Sequence, residues 1–166
     1  DANGNVRVSF GTVDVGATEF AGPLVVTTAL DVIDANDGLL SLREAILLAN
    51  ADAAADTITF ATGLAGQTVA MQYSPFALTS DITIDGDVDG DNKADITISG
   101  GNLRSIFGMT GAATDVDLKS LTLADANTPA SGGAILANGI SSLTISDTTV
   151  RDNVGGAAGG LLIANT

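Results

Sequence analysis

The chain has 166 residues, 45% of them hydrophobic but only 4% aromatic, which predicts one domain around an aliphatic core. Six basic residues face twenty acidic ones, a formal charge of −14, and such a surface repels nucleic acid and anionic membranes. There is no cysteine for a disulfide or thiolate metal site, and no histidine for a Ser-His or Cys-His pair or a common zinc site.

Residues 1–24 hold short apolar alternations, Val6–Phe10 and Val13–Val15, and read as N-terminal strands, a lead-in or cap. No signal peptide is visible and the chain begins at Asp1, as if already processed. Residues 25–60 read as a capping segment. It opens with the run Leu24–Thr28 and continues through an acidic turn, Asp31–Gly38. One helix is expected over 42–50. Ser41 and Glu44 form a capping box, in which each side chain can bond the other residue's amide. Leu42, Ala45, Ile46 and Ala49 recur as a single apolar stripe, and Asn50 is the expected stop. Asp56–Phe60 returns to strand.

From residue 61 onward the pattern is strand and turn. Short runs are expected at Thr68–Met71, Asp81–Ile84, Asp95–Ile98, Val116–Leu118, Leu121–Leu123, Gly133–Ala137, Leu143–Ile145, Thr148–Val150 and Gly160–Ala164, with Gly, Asn, Asp and Ser between them. Leu121–Asn127 followed by Gly132-Gly133 returns about 26 residues later as Thr148–Asn153 followed by Gly159-Gly160. A period of that size with three strands per unit predicts an all-β solenoid, a parallel β-helix whose coils occupy 61–166. Asn at equivalent corners is expected to form a ladder. The competing sandwich would need longer strands and more aromatic residues. The pattern breaks off inside a strand at 161–166, so the chain reads as a fragment, and its last coil predicts end-to-end stacking or dimerisation.

The segment Asp85–Ile98 carries the strongest chemical signal. Asp87, Asp89, Asp91 and Asp95 stand at positions 1, 3, 5 and 9 of one loop between two Ile-Thr-Ile runs. Carboxylates that dense repel one another unless a cation lies among them, and Ca²⁺ accepts six to eight hard oxygen ligands in a flexible shell. An EF-hand is disfavoured, because the flanks are strands and the twelfth position is Ile98 rather than Glu. The alternative is an acidic turn that only solubilises.

Two resemblances bear on these readings. The segment from Val26 through Ser41-Leu42-Arg43-Glu44-Ala45 to Phe60 resembles the N-terminal signature of CSLREA-type proteins, with Leu40 at the family's cysteine. That resemblance implies a large secreted bacterial protein with right-handed parallel β-helix repeats under a helical cap, in a family whose roles are mostly unassigned surface or adhesion functions. The aspartate loop resembles the calcium loops of dockerins and integrin-type propeller blades. By that resemblance the ligands are Asp87, Asp89, Asp91, the carbonyl of Lys93, and Asp95, with Asn92 at the family's glycine.

Other features have plainer readings. Asp34, Asn36 and Asp37 offer a second cation site or an Asx-rich turn, and the turn is favoured. Arg43 beside Glu44 reads as an ion pair holding the cap. Arg104 and Arg151 are isolated, whereas a β-helical polysaccharide lyase would use a basic residue beside Ca²⁺ to remove a proton next to a uronate carboxylate. Outward Thr83, Thr97, Thr122 and Thr144 would suit an ice-binding array only at regular spacing, and theirs is irregular. No apolar run reaches the roughly 18–20 residues of a membrane span. The expectation is a calcium-stabilised, extracellular or cell-surface, adhesin-like module without catalysis, whose partner is a carbohydrate or cell-surface ligand. A lyase-like enzyme fragment and a self-assembling surface protein are the alternatives.

Overall fold

The computed structural model describes residues 24–51, 54–110, 114–129 and 132–164. The strands expected in 1–23 lie outside them. The elements run β1 (Leu24–Val26), α1 (Leu42–Ala49), β2 (Asp56–Phe60), β3 (Thr68–Ala70), β4 (Phe76–Leu78), β5 (Ile82–Asp85), β6 (Ile96–Ser99) and β7 (Phe107–Thr110). They continue with β8 (Asp115–Lys119), β9 (Leu121–Ala124), β10 (Asn127–Thr128), β11 (Ile135–Asn138), β12 (Ser142–Ser146), β13 (Thr149–Arg151), β14 (Val154–Gly155) and β15 (Leu161–Ala164).

Every pairing among these strands is parallel, which rules out the sandwich. The strands stack as three sheets: sheet A is β1-β2-β5-β8-β12, sheet B is β3-β6-β9-β13 and sheet C is β4-β7-β11-β15. The small pair β10-β14 adds a fourth side to the last two coils. Four coils of a parallel β-helix result. The segment read as the cap, 25–60, supplies β1 and β2 to sheet A besides the helix.

In-register columns explain the stacking. One inward residue per strand builds each: Ile58-Ile84-Leu118-Ile145 in sheet A, Val69-Ile98-Leu123-Val150 in sheet B, and Phe76-Phe107-Ile135-Leu161 with Leu78-Met109-Ala137-Ile163 in sheet C. In the first three coils these side chains are essentially fully buried. Each such burial stabilises by about 1.5–3 kcal/mol, and no single coil could bury its own column. Phe76 and Phe107 meet in a tilted pair with ring centroids 5.9 Å apart.

The helix forms as its sequence dictates. Ser41 Oγ accepts the amide of Glu44 at 3.2 Å, and Glu44 Oε2 accepts the amide of Ser41 at 2.9 Å. Its stripe of Leu42, Ala45, Ile46 and Ala49 is buried against β1, β2 and β4. Asn50 ends it and ties it to the first coil, donating to the carbonyl of Ala77 at 2.7 Å and accepting the amide of Thr79 at 2.9 Å.

Among the described residues no asparagine ladder forms. The neighbour of Asn127 is Val154 and those of Asn138 are Thr110 and Ala164, so amides do not meet at these corners. Asn153 instead accepts the amide of Ala126 at 2.8 Å and donates to Leu123 O at 2.9 Å, bracing one turn against the turn below. The threonines form no single array either. Thr68, Thr97, Thr122 and Thr149 make a column on sheet B, whereas Thr83 and Thr144 lie on sheet A with Asp117 between them.

The repeated glycines permit close stacking between coils. A Cβ at Gly133 would stand 1.7 Å from the carbonyl oxygen of Gly159. Backbone, not a mobile side chain, blocks it. Gly133→Ala is therefore expected to push the third and fourth coils apart and cost about 1–3 kcal/mol. Chemical denaturation measures this directly, and an unchanged midpoint would contradict the packing described.

Candidate metal centre

The aspartate loop is an insertion at a corner that the third and fourth coils turn tightly. Between sheets A and B the third coil uses Ser120 alone, in a left-handed conformation (φ 51°). The second coil spends Gly86–Asp95 on the same corner. Gly86 stands at the neck, donating to Lys119 O at 2.9 Å, and a Cβ there would come within 2.3 Å of Ser120 O. Asp95 closes the neck by donating its amide to Gly86 O at 3.3 Å, and its carbonyl accepts the amide of Gly66 at 2.9 Å. Val88 is half-buried against the core and anchors the near side of the loop.

Within the loop, backbone amides converge on carboxylates. Asp87 Oδ1 accepts from Gly90 at 2.7 Å and Asp91 at 3.1 Å, and its Oδ2 accepts from Asn92 at 3.0 Å. Asp89 Oδ1 accepts from Asp91 at 3.1 Å, and Asp95 Oδ2 from Val88 at 2.8 Å. Asn92 adopts a left-handed φ of 59°, a conformation Asn tolerates better than most residues, and Gly90 has φ 87°. These turns draw one oxygen each of Asp87, Asp89 and Asp95 within 4.8 Å of one another, the one such acidic group among the described residues.

The other two residues of the expected set are placed differently. The Asp91 carboxylate accepts from the Lys93 ammonium and, at 2.9 Å, from the Lys93 amide. The ammonium hydrogen bond holds the Asp91 carboxyl below its ordinary range, and Asp91 in turn pushes Lys93 upward. Three of the four aspartates are thus brought together, and the fourth lies against a lysine two residues on.

The donor set suits a hard cation. Oxygens on opposite sides of a Ca²⁺ shell stand about 5 Å apart, given bonds of 2.3–2.6 Å, so a 4.8 Å cluster is the right size. Asp87 Oδ1 already accepts two amides, but Asp87 Oδ2, Asp89 Oδ1 and Asp95 Oδ2 accept one each, and with two lone pairs per oxygen every one of the three carboxylates keeps acceptor capacity free. Mutual repulsion of three such charges amounts to about 1–3 kcal/mol per pair at this separation, depending on exposure, and a divalent ion would reverse its sign.

The second acidic turn has the plainer role. Asp34 Oδ1 accepts the amide of Asn36 at 3.0 Å and Asp37 Oδ1 that of Leu39 at 2.8 Å, both ordinary Asx turns.

Arg43 departs from expectation. Its partner is Asp31, not Glu44, with Nε to Oδ1 at 2.6 Å and Nη2 to Oδ2 at 3.0 Å. Glu44 is already committed, through Oε2 to the cap and through Oε1 to the amide of Asp34 at 2.7 Å. The guanidinium also donates to Ser74 O at 2.9 Å and lies 4.5 Å from the ring centroid of Phe76. Asp31 accepts two further amides, Gln72 at 2.7 Å and Tyr73 at 3.3 Å. Burial acts to raise the Asp31 pKa, but Arg43 and the two amides outweigh it and hold the carboxyl below the ordinary carboxylate range. The pair fastens the cap to the first coil.

The remaining arginines among the described residues are occupied. Arg104 donates to the Tyr73 carbonyl, and Arg151 pairs with Asp152 at 2.7 Å. No helix among the described residues is long and apolar enough to cross a membrane. Comparisons with protein-family models, curated proteins and solved structures find no match.

Proposed function

We propose that this chain is a calcium-stabilised β-helical module that serves as a rigid extracellular scaffold and performs no chemistry of its own. The observation that carries the reading is the convergence of Asp87, Asp89 and Asp95 on a loop inserted into a corner that one residue can turn. Ca²⁺ would be held by these three carboxylates, with Asp91 and the Lys93 carbonyl completing the set on the dockerin-like pattern. Its role is to neutralise the loop and pin it to the corner. The CSLREA-like cap segment supports a secreted, surface-displayed setting. A solenoid in that setting presents long flat sheets to carbohydrate or cell-surface ligands.

Calcium titration of chelator-treated protein tests this. Saturation at one hundred times the dissociation constant would stabilise the fold by about 2.7 kcal/mol. We expect a rise in melting temperature and measurable binding heat with Ca²⁺, a weaker response with Mg²⁺, which demands stricter octahedral geometry, and loss of both in Asp87→Asn/Asp89→Asn. Melting and heat unchanged at millimolar Ca²⁺ would remove the calcium assignment.

A further inference from the structure

We propose that Asp37 is a site of spontaneous backbone isomerisation, where the folded chain converts itself to isoaspartate while two matched Asp-Gly pairs stay protected. The chain has three such pairs, Asp37-Gly38, Asp85-Gly86 and Asp89-Gly90. Each aspartate makes the same Asx turn. Asp37 Oδ1 accepts the amide of Leu39 at 2.8 Å, Asp85 Oδ1 that of Asp87 at 3.1 Å and Asp89 Oδ1 that of Asp91 at 3.1 Å. This bond folds each carboxyl toward the chain that follows, whose first nitrogen can attack it. The glycines differ. Gly86 is buried and donates its amide to Lys119 O at 2.9 Å, and Gly90 donates to Asp87 Oδ1 at 2.7 Å. Among the described residues the Gly38 amide has no hydrogen-bond partner. Asp37 and Gly38 are both exposed, Gly38 has φ 73°, and nothing lies within 4 Å of where its Cβ would stand.

A free amide nitrogen is the reagent this chemistry needs. With Asp37 in its neutral acid form, the Gly38 nitrogen bonds to Cγ. The Cγ hydroxyl leaves with the amide proton as water, and a cyclic imide closes. Water then opens the ring. Cleavage between nitrogen and Cγ restores aspartate. Cleavage between nitrogen and the main-chain carbonyl carbon of Asp37 leaves the chain running through Cβ and Cγ, which is isoaspartate. Atoms balance over the two steps, and nothing is oxidised or reduced. The turn holds the two groups side by side, so the attack is intramolecular, and glycine leaves the nitrogen uncrowded. At Gly86 and Gly90 a hydrogen bond must break first, so those turns react only after opening locally. The net contribution of one such bond corresponds to about tenfold in rate. Asn138-Gly139 can close the same ring with loss of ammonia, but its glycine amide is also held, by Ala164 O at 3.0 Å. Isomerisation lengthens the turn by one backbone atom and breaks the Asx bond to Leu39. The ends of the turn stay tied, by Asp34 N to Glu44 Oε1 at 2.7 Å and by Leu40 N to Thr27 Oγ1 at 2.8 Å, so the cap survives the change.

The test incubates the 166-residue chain at physiological temperature in mildly acidic buffer, with a chelator so that no cation holds the aspartate loop. Peptide mapping with electron-transfer fragmentation locates isoaspartate at each site. In the folded chain we expect Asp37 to isomerise about tenfold faster than Asp85 and Asp89, with the circular dichroism unchanged. In urea the turns and their hydrogen bonds are gone, and all three should react at comparable rates. Asp87→Ala removes the acceptor of the Gly90 amide. In that variant Asp89 should approach the rate of Asp37, while Asp37 itself keeps its own. Equal rates at the three sites in the folded chain, a faster Asp89, an Asp89 rate unmoved by Asp87→Ala, or no isoaspartate at Asp37 when the urea sample forms it would each overturn the proposal.

Discussion

Replacing Arg43 with Ala should destabilise the protein by about 3–5 kcal/mol, because it leaves the Asp31 carboxylate unpaired in the interior. The Asp31 side chain is wholly buried and that of Arg43 nearly so. Truncation would remove two charge-assisted hydrogen bonds, the bond to Ser74 O and the stacking on Phe76 in one step. Asp31→Ala should cost a similar amount, and the double variant less than the sum, because neither charge is then stranded. Urea denaturation of the three variants measures the coupling. If the single variants lose under 1 kcal/mol, on the ordinary scale of an exposed pair, the pair does not hold the cap. Acid gives an independent reading. Asp31 is held below the ordinary carboxylate range, so its contribution is fully present above that range and is lost as pH falls through the depressed folded value. The wild-type protein should therefore lose stability more steeply on acidification than Asp31→Asn. Coincident pH profiles would show that Asp31 carries no linkage.

That pair also marks the limit of what could be read from the chain. The helix was legible because its signals are local: Ser41 and Glu44 are three residues apart, and the apolar stripe repeats within two turns. Arg43 was misread because its nearest acid, Glu44, is spent on the cap. Its true partner lies twelve residues upstream, across a turn whose path no periodicity reveals. The coils were legible wherever inward aliphatic residues alternate with outward polar ones, as in sheets A and B. β4 and β7 escaped notice because sheet C breaks that rule, whereas β11 and β15 of the same sheet were legible from their repeated Gly-Gly. Its outward column is Ala77, Gly108, Leu136 and Leu162, so the alternation loses its contrast there. The uneven repeat has an equally physical cause. Ile82 pairs with Val116, 34 residues on, because the aspartate loop lies between them, whereas Val116 pairs with Leu143 after 27. In the loop itself, three aspartates converge as their spacing suggested. Asp91 does not, since Lys93 is near enough to take its carboxylate.

The second large effect lies in the core and should fade along the stack. Phe107 is fully buried between Phe76 and Ile135 in one column of sheet C. Phe107→Ala should cost about 3–5 kcal/mol, since a cavity between rigid coils can collapse only if two sheets approach each other. Leu161 occupies the same column two coils later, where it is exposed. Leu161→Ala should cost about 1 kcal/mol, for the area it hides is smaller and leaves no closed cavity. The contrast follows from near-one-dimensional architecture, in which each coil is stabilised mainly by the coils it touches. With a total stability of about 5–15 kcal/mol for a domain of this kind, Phe107→Ala alone would bring the fold close to its limit. The end-coil change should leave the first three coils intact. Amide exchange separates the two cases: early exchange confined to β12, β13 and β15 in Leu161→Ala, and throughout β3 to β11 in Phe107→Ala. Equal losses at both positions would mean that the solenoid unfolds as one indivisible unit, with no gradient from the first coil to the fourth.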